Sequence, residues 1–442
     1  MKTTEQILKG EIYNRVKKIF KMRKKKKKFI PGKTWIQYSG GVFDDKEINA
    51  SIDVLIEGWF GLGRFADKLE TGLANFVGAK GSILTNSGSS SNLLSVASLC
   101  SNLLIDRLRP GDEVITAACG FPTTVNPLVI YNLTPVFLDV NPQTYNINAS
   151  DLEKALTKKT RLVMIAHTLG NPNEMDKIVK FCQDHSLYLI EDNCDALGSE
   201  YGEKRTGSFG ILATQSFYPP HHMTMGEGGA VHYNDYRFEK ITRSLRDWGR
   251  SCWCSGAEKR TLGACGVRFN YTLNRKPYDH KYIFHQIGYN LKPIEPQAAM
   301  GVEQLRRMPF FIHKREQNFQ RLFEYAKEWE EYFILPKALP KAKPCWFSFP
   351  LTIRDSVKFS RHEIITFLES RMIQTRPLFA GNITLQPGYK YVKYRKIGKL
   401  PNSDRVMFNT FFIGVYPGLG NQEIDYMAES INDFLRIYKN KI

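Results

Sequence analysis

The sequence has no apolar run of eighteen residues or more, the length a bilayer-crossing helix needs. Its start, MKTTEQILKGEIYNRV, lacks the apolar stretch of a secretory signal, so the cytoplasm is the compartment expected. Gly (33) and Pro (21) are too few among 442 residues for a collagen-like or low-complexity chain. Acidic residues are scarce at one end. Residues 1–28 carry twelve Lys/Arg against two Glu, so more than half of the net +18 sits in an arm ending in Lys24–Lys28. A nucleic-acid binder places such charge on a folded face. An arm fits a solvated helix extension, or weak attraction to anionic membranes or nucleotides. No nucleic-acid partner and no membrane span are expected.

What is present is ordinary globular material: 42% hydrophobic and 24% charged residues, which excludes global disorder. The length predicts two or three domains. From residue 81, short apolar runs such as GSILTN, DEVITA, TPVFLDV, RLVMIAH and LYLIED alternate with helical stretches such as SSSNLLSVASLC and MDKIVKFCQDH. That alternation predicts an α/β fold with a mostly parallel sheet, its ligands beyond the carboxyl ends of the strands. After about residue 300 the pattern changes. FFIHKREQNFQRLFEYAKEWEEYF (310–333) reads as one long helix, and WFSFPLTIRD and RMIQTRPLF read as strands around the helix RHEIITFLES. The expected division is a basic helix or arm over 1–30, a large α/β domain over 31–305 with an insertion at about 250–285, and a smaller α+β domain over 306–442.

Four segments carry chemistry. TNSGSSSNLL (85–94) is a strand, a Gly-Ser turn and a helix start; it reads either as a phosphate cup or as an ordinary Ser-capped helix. LYLIEDNCDALGS (187–199) ends a strand in Glu191-Asp192. A buried Asp there suits the protonated nitrogen of a pyridoxal-type ring, whereas Asp192 or Asp195 as a helix cap is the plainer alternative. The third is SFYPPHHMTMGEGGAV (216–231). The fourth is a set of thiols, Cys194, Cys252, Cys254 and Cys265, with a Cys-Trp-Cys at its centre. In a reducing compartment disulfides are not expected; convergent thiolates suggest zinc or an iron–sulfur cluster. The other four cysteines read as small core residues.

Taken in order, these segments resemble the DegT/DnrJ/EryC1/StrS family of sugar aminotransferases, which use pyridoxal phosphate. NSGSSSNLL looks like the phosphate cup, GFPTT (120–124) like the loop whose aromatic ring stacks on the cofactor, and IEDNCDALGS like the Glu-Asp-x-x-x-Ala segment. GYNLKPIEPQAA (288–299) looks like the stretch that sends an Asn into a neighbouring subunit's phosphate site. The resemblance implies a type I, aspartate-aminotransferase-like fold and a homodimer. It implies that Gly88, Ser89, Ser216 and Asn290 take the phosphate, that Phe121 stacks, that Asp192 faces the pyridine nitrogen, and that Asp195 also belongs to the cofactor-binding set. It also implies a substrate contact for Arg376 in IQTRPLFAGN (373–382), a bidentate donor suited to phosphate.

One residue departs from the family pattern. The family's Lys, five residues after the Ser, is here His221. Lysine forms a Schiff base and shuttles protons; histidine cannot hold the cofactor that way but remains a general base. This predicts a noncovalently held pyridoxamine phosphate and dehydration in place of amination. His-His-x-Thr-Met-Gly-Glu-Gly-Gly over 221–229 resembles the branch of CDP-4-keto-6-deoxyglucose 3-dehydrases. That branch spaces its [2Fe–2S] ligands Cys-x57-Cys-x-Cys-x7-Cys. Cys194, Cys252 and Cys254 match, while the last gap here is ten residues, to Cys265. The branch implies a CDP-linked 4-keto-6-deoxyhexose as substrate and an NADH-dependent flavin/iron–sulfur reductase as partner. A cluster-free GDP-4-keto-6-deoxymannose 3-dehydratase, a sugar aminotransferase and a silent cofactor- or zinc-binding scaffold are the rival readings.

Overall fold

The computed structural model describes residues 3–26, 28–252 and 268–440. The chain opens with α1 (Thr4–Lys26), which lies against α2 (Asp45–Glu57) through a Tyr13–Asp53 hydrogen bond. α3 (Arg64–Val77) follows. Among the described residues, no helix is long and apolar enough to cross a membrane.

Seven buried strands of five to seven residues then alternate with helices. They are β1 (Gly81–Thr85), β2 (Glu113–Ala117), β3 (Thr134–Leu138), β4 (Thr160–Ala166), β5 (Tyr188–Asp192), β6 (Leu212–Ser216) and β7 (Gly229–Tyr233). Among the helices are α4 (Gly88–Leu99), α5 (Pro122–Ile130), α6 (Met175–Asp184), α7 (Arg237–Arg246) and α8 (Glu295–Arg306). The strands are apolar on both faces because both are covered. Val114, Leu162, Met164 and Ile190 pack with Leu94 of α4 and Phe238 and Ile241 of α7. Their neighbours Ile115, Val163, Ile165 and Leu189 pack on the other side with Ile178 and Phe181 of α6. A third cluster seats α3 and α8 through Leu69, Leu73, Ala298 and Val302.

A second core forms around α9 (Met308–Ala326), α10 (Arg361–Ser370) and α12 (Asn421–Lys439), with α11 (Pro401–Asn409) beside it. Its sheet runs β8 (Phe333–Ile334), β9 (Ser348–Ile353), β12 (Thr410–Gly414), β10 (Arg376–Pro377), all antiparallel. A further short strand, β11 (Arg395–Lys396), pairs with β3 instead. The large sheet therefore has the order β1-β7-β6-β5-β4-β2-β3-β11, with only β7 antiparallel.

Two details differ from the sequence reading. The helix read over 310–333 stops at Ala326, because a tight turn at Lys327–Trp329 swings Trp329 and Phe333 into the second core. The strand read in RMIQTRPLF is only two residues long; Pro377 has no N–H to extend a ladder. Of the segment 250–285, the described part includes a hairpin, Tyr271–Leu273 against Lys276–Tyr278, and a tight turn at His280–Tyr282.

Register decides what this scaffold presents. Ala166 of β4 lies opposite Asp192 of β5, and Asp192 opposite Thr214 of β6. β1, β2, β4, β5 and β6 thus send their carboxyl ends to one edge, where a ligand site forms in open α/β sheets.

Candidate functional site

The loops at that edge enclose a cavity of about 310 Å³, closed from the second core by Phe347, Arg376, Phe379 and Phe412. Gly88, Ser89, Phe121, Asp192, Cys194, Asp195, Ser216, His221 and Arg376 all line it. The structure brings these nine residues, expected from sequence, into one place.

The floor is the start of α4. Ser87 caps the helix, its Oγ accepting the Ser90 N–H at 3.0 Å, and Gly88 and Ser89 form the first turn. A helix N-terminus offers unpaired N–H groups and a positive field to an anion. The hydroxyl-bearing Ser89 and Ser216 border the same turn. A Cβ on Gly88 would lie 2.4 Å from Ser216 Cβ and 3.0 Å from Cys194 Sγ, so the close approach requires glycine. Gly88→Ala is therefore expected to weaken pyridoxal-phosphate binding by about tenfold or more, since displacing this floor costs on the order of 1–3 kcal/mol; absorbance titration of the cofactor measures it.

The back wall is Asp192. Its Oδ2 accepts from Asn92 Nδ2 at 2.8 Å and Thr124 Oγ1 at 2.6 Å, and its Oδ1 accepts the Cys194 N–H at 3.2 Å. Thr214 Oγ1 in turn donates to Asn92 Oδ1 at 2.7 Å. Strand alternation sends the adjacent Glu191 the opposite way. It accepts from the main chain of Gly207, Phe209 and Gly210 and pairs with His167 at 2.9 Å, a structural cap on the next loop. Phe121 stands at the mouth, 51% exposed, edge-to-face with Phe379.

His221 sits on the turn after β6. Its Nδ1 is 3.5 Å from Asp195 Oδ1, and both side chains keep only 15% of their surface exposed. Nδ1 is buried without a hydrogen-bond partner. Burial drives the imidazole down to about 4, against the opposing charge of Asp192 and with the help of Arg315. Burial and the neighbouring Asp192 charge push Asp195 up to about 7. At neutral pH the imidazole is therefore uncharged and able to accept a proton. His222, next in sequence, is instead tied to the Cys345 carbonyl at 2.7 Å and does not reach the cavity.

The thiols divide. Cys194 faces the cavity beside the Gly88 turn, its thiol pushed well up by burial and then by Asp192. Cys252 is half-buried and is not part of the cavity wall. Cys254 and Cys265 lie outside the described residues, among which no group of three or more His, Cys, Asp or Glu gathers to hold a metal ion. Asn290 is exposed, bridged through its main chain to Asp247, and does not line the cavity. Arg376 stacks on Tyr38, its Cζ 4.6 Å from the ring centroid.

These groups fit a phosphorylated pyridine cofactor: a glycine-floored helix start for the phosphate, a carboxylate with three donors for the ring nitrogen, and an aromatic ring at the mouth. Residues 42–432 match the DegT/DnrJ/EryC1/StrS aminotransferase family. The chain belongs to that family. Among DegT/DnrJ/EryC1/StrS relatives, lipopolysaccharide biosynthesis protein RfbH of Salmonella typhimurium is 45% identical over 411 residues, 92% of this chain and 93% of that protein. A dTDP-4-dehydro-2,6-dideoxy-D-glucose 3-dehydratase of Saccharopolyspora spinosa is 47% identical over 410 residues, 92% and 88%. The solved Escherichia coli GDP-4-keto-6-deoxy-D-mannose-3-dehydratase with bound hydrated PLP superposes with a TM-score of 0.80 at 29% identity, covering 90% of this chain and 99% of that one. The architecture is the PLP-dependent aminotransferase fold.

Sequence reading missed part of this site. Asn92 and Thr124 stood inside quoted motifs, four residues beyond Gly88 and three beyond Phe121, but nothing local tied them to Asp192. Tyr218 stood inside the 216–231 segment with nothing to mark its role, while Phe347 and Tyr38 come from an aromatic-rich background with no motif to single them out.

Proposed function

We propose that the chain is a pyridoxamine-phosphate-dependent dehydrase that removes the C3 hydroxyl of a CDP-linked 4-keto-6-deoxyhexose, in the synthesis of 3,6-dideoxyhexoses for lipopolysaccharide. The observation that carries this reading is His221, an uncharged imidazole in the cavity where the family pattern has lysine. When bound, the cofactor supplies an amine to condense with the ketone at C4 and a methylene C–H whose electron pair expels the C3 hydroxyl. His221 takes the methylene proton. Asp192, aimed by Asn92, Thr124 and the Cys194 N–H, holds a proton on the ring nitrogen. Gly88, Ser89 and Ser216 hold the phosphate, with Asn290 serving the cavity of a second subunit in a homodimer. Phe121 stacks on the ring and helps exclude water. Arg376, exposed at the mouth, meets the substrate's diphosphate.

On the same reading, Cys194, Cys252, Cys254 and Cys265 hold a [2Fe–2S] cluster, and an NADH-dependent flavin/iron–sulfur reductase feeds it. Support comes from the Cys-x57-Cys-x-Cys spacing and from Cys194, which lies on the cavity wall beside the phosphate floor. A bound cluster supplies single electrons, which zinc does not. Anaerobically purified protein is expected to carry about two irons and two acid-labile sulfides per chain, with visible absorption bleached by dithionite. Iron-free protein after reconstitution would overturn the electron-transfer half and leave a cluster-free dehydratase. With L-glutamate as amine donor, no aminosugar product is expected; its formation would restore the aminotransferase reading. The Saccharopolyspora relative is named for a dTDP-linked sugar, so CDP- and dTDP-linked substrates are to be compared, with the higher kcat/KM expected for CDP.

A further inference from the structure

Arg315 of α9 is a guanidinium with no place in the chemistry above, yet it is only 1% exposed. A buried cation is costly unless paired, and among the described residues no carboxylate lies within ion-pair distance of it. Its partners are main-chain carbonyls. Nη1 donates to Trp346 O at 3.1 Å and Phe347 O at 2.9 Å; Nη2 reaches Pro220 O at 3.5 Å and His221 O at 3.3 Å. The Pro220 carbonyl is also held by Ser39 Oγ at 2.6 Å.

These four carbonyls bear directly on the imidazole. The His221 side chain has weak polar anchors of its own: Asp195 Oδ1 is 3.5 Å away and Nδ1 makes no hydrogen bond. Beyond these and a hydrogen-bonding interaction with the Cys194 main chain, its placement is left to its own main chain and to the rings beside it. Phe347 flanks it with 5.6 Å between ring centroids, and Tyr218 lies at 6.4 Å. One edge of Arg315 fixes the Phe347 main chain and the other fixes the His221 main chain. A planar fork of rigid donors does this better than a flexible ammonium.

We infer that Arg315 is a positioning residue for the base: it locks the Pro220–His221 turn against the Trp346–Phe347 segment and so sets where the imidazole points. The inference rests on His221 being the base of the proposed dehydration. Misplacing a reacting group by about 1 Å costs up to 10²-fold, so that is the size of effect at stake.

The test uses Arg315→Met, which keeps much of the volume without burying a charge, and Arg315→Lys. Arg315→Met is expected to lower kcat for dehydration by about 10²-fold with KM nearly unchanged, and Arg315→Lys to recover part of it. A second readout needs no cofactor. In ¹⁵N-histidine-labelled protein, the His221 ring signals are assigned by their loss in His221→Gln. Wild type is expected to show one sharp set, and Arg315→Met a shifted or broadened one. If Arg315→Met folds, keeps wild-type kcat and leaves the His221 signals unmoved, the inference is wrong while the base assignment stands. If His221→Gln itself retains dehydration, the base assignment fails, whatever Arg315 does. A lower melting temperature with both readouts unchanged would make Arg315 a structural residue only.

Discussion

His221→Gln is expected to lower C3 dehydration by about 10³-fold, within the range lost when a positioned general base is removed, while cofactor binding survives. Glutamine fills nearly the same space and has no basic lone pair. The exchange disturbs little else: Nδ1 has no hydrogen-bond partner to orphan, Asp195 loses only a 3.5 Å contact, and the amide has donors and acceptors of its own for the Cys194 main chain. Stability should therefore change by less than about 1 kcal/mol, and a melting curve with and without pyridoxal phosphate separates loss of base from loss of fold. Retained dehydration would move the base elsewhere in the cavity, with Asp195 the next group within reach.

The second large effect is expected from Asp192→Asn. The amide cannot hold a proton on the ring nitrogen. With its oxygen in the place of Oδ2 it still accepts from Asn92 Nδ2 and Thr124 Oγ1, but its NH₂ then faces the Cys194 N–H that now bonds Oδ1. Loss of a preorganised charge at a reacting centre typically costs 10²–10³-fold in rate. A buried donor left unsatisfied costs about 1–3 kcal/mol more in stability. The prediction is a fall in kcat of about 10²–10³-fold together with weaker cofactor binding and a lower melting temperature. An unchanged kcat in folded Asp192→Asn would place the ring nitrogen away from this carboxylate.

The contrast between these two substitutions reflects how the site is built. His221 stands on a turn and meets the cavity with few bonds of its own. Asp192 is the end of a central strand and anchors a relay through Asn92 to Thr214. Asp192 was legible because, in a parallel sheet, residues just past an apolar run lie at the carboxyl edge, and Gly88 and Ser89 because they open a helix after a strand. His221, Phe121 and Ser216 were legible through the family resemblance, whose lysine spacing from Ser216 also separates His221 from His222. The geometry agrees, since His222 turns back to the Cys345 carbonyl.

What was not legible comes from far along the chain. Arg315 sits among Lys314 and Glu316 on an amphipathic helix, where an arginine reads as solvent-facing. Only the fold reveals the four carbonyls that bury it. Phe347 reaches the cavity because the β9–β12–β10 sheet abuts the large one, a tertiary fact with no local pattern; Arg376, which the resemblance did single out, arrives by the same packing. β10 itself was overread as a longer strand, since its apolar flanks are buried outside that sheet, Ile373 making only a single parallel bridge to Ile36. The thiol set was legible only as spacing; Cys254 and Cys265 fall outside the described residues, and Asn290 is placed away from its own chain's cavity.

The central claim is that this site eliminates a hydroxyl. It is tested most directly by incubating the pyridoxamine-phosphate-loaded enzyme with CDP-4-keto-6-deoxyglucose in H₂¹⁸O, without reductase, and reading the isotope position by position with mass-spectrometric fragmentation. The account predicts ¹⁸O at C3, from reversible loss and return of water, in wild type and not in His221→Gln. Label confined to the C4 carbonyl, with C3 unlabelled in active wild-type protein, would contradict it.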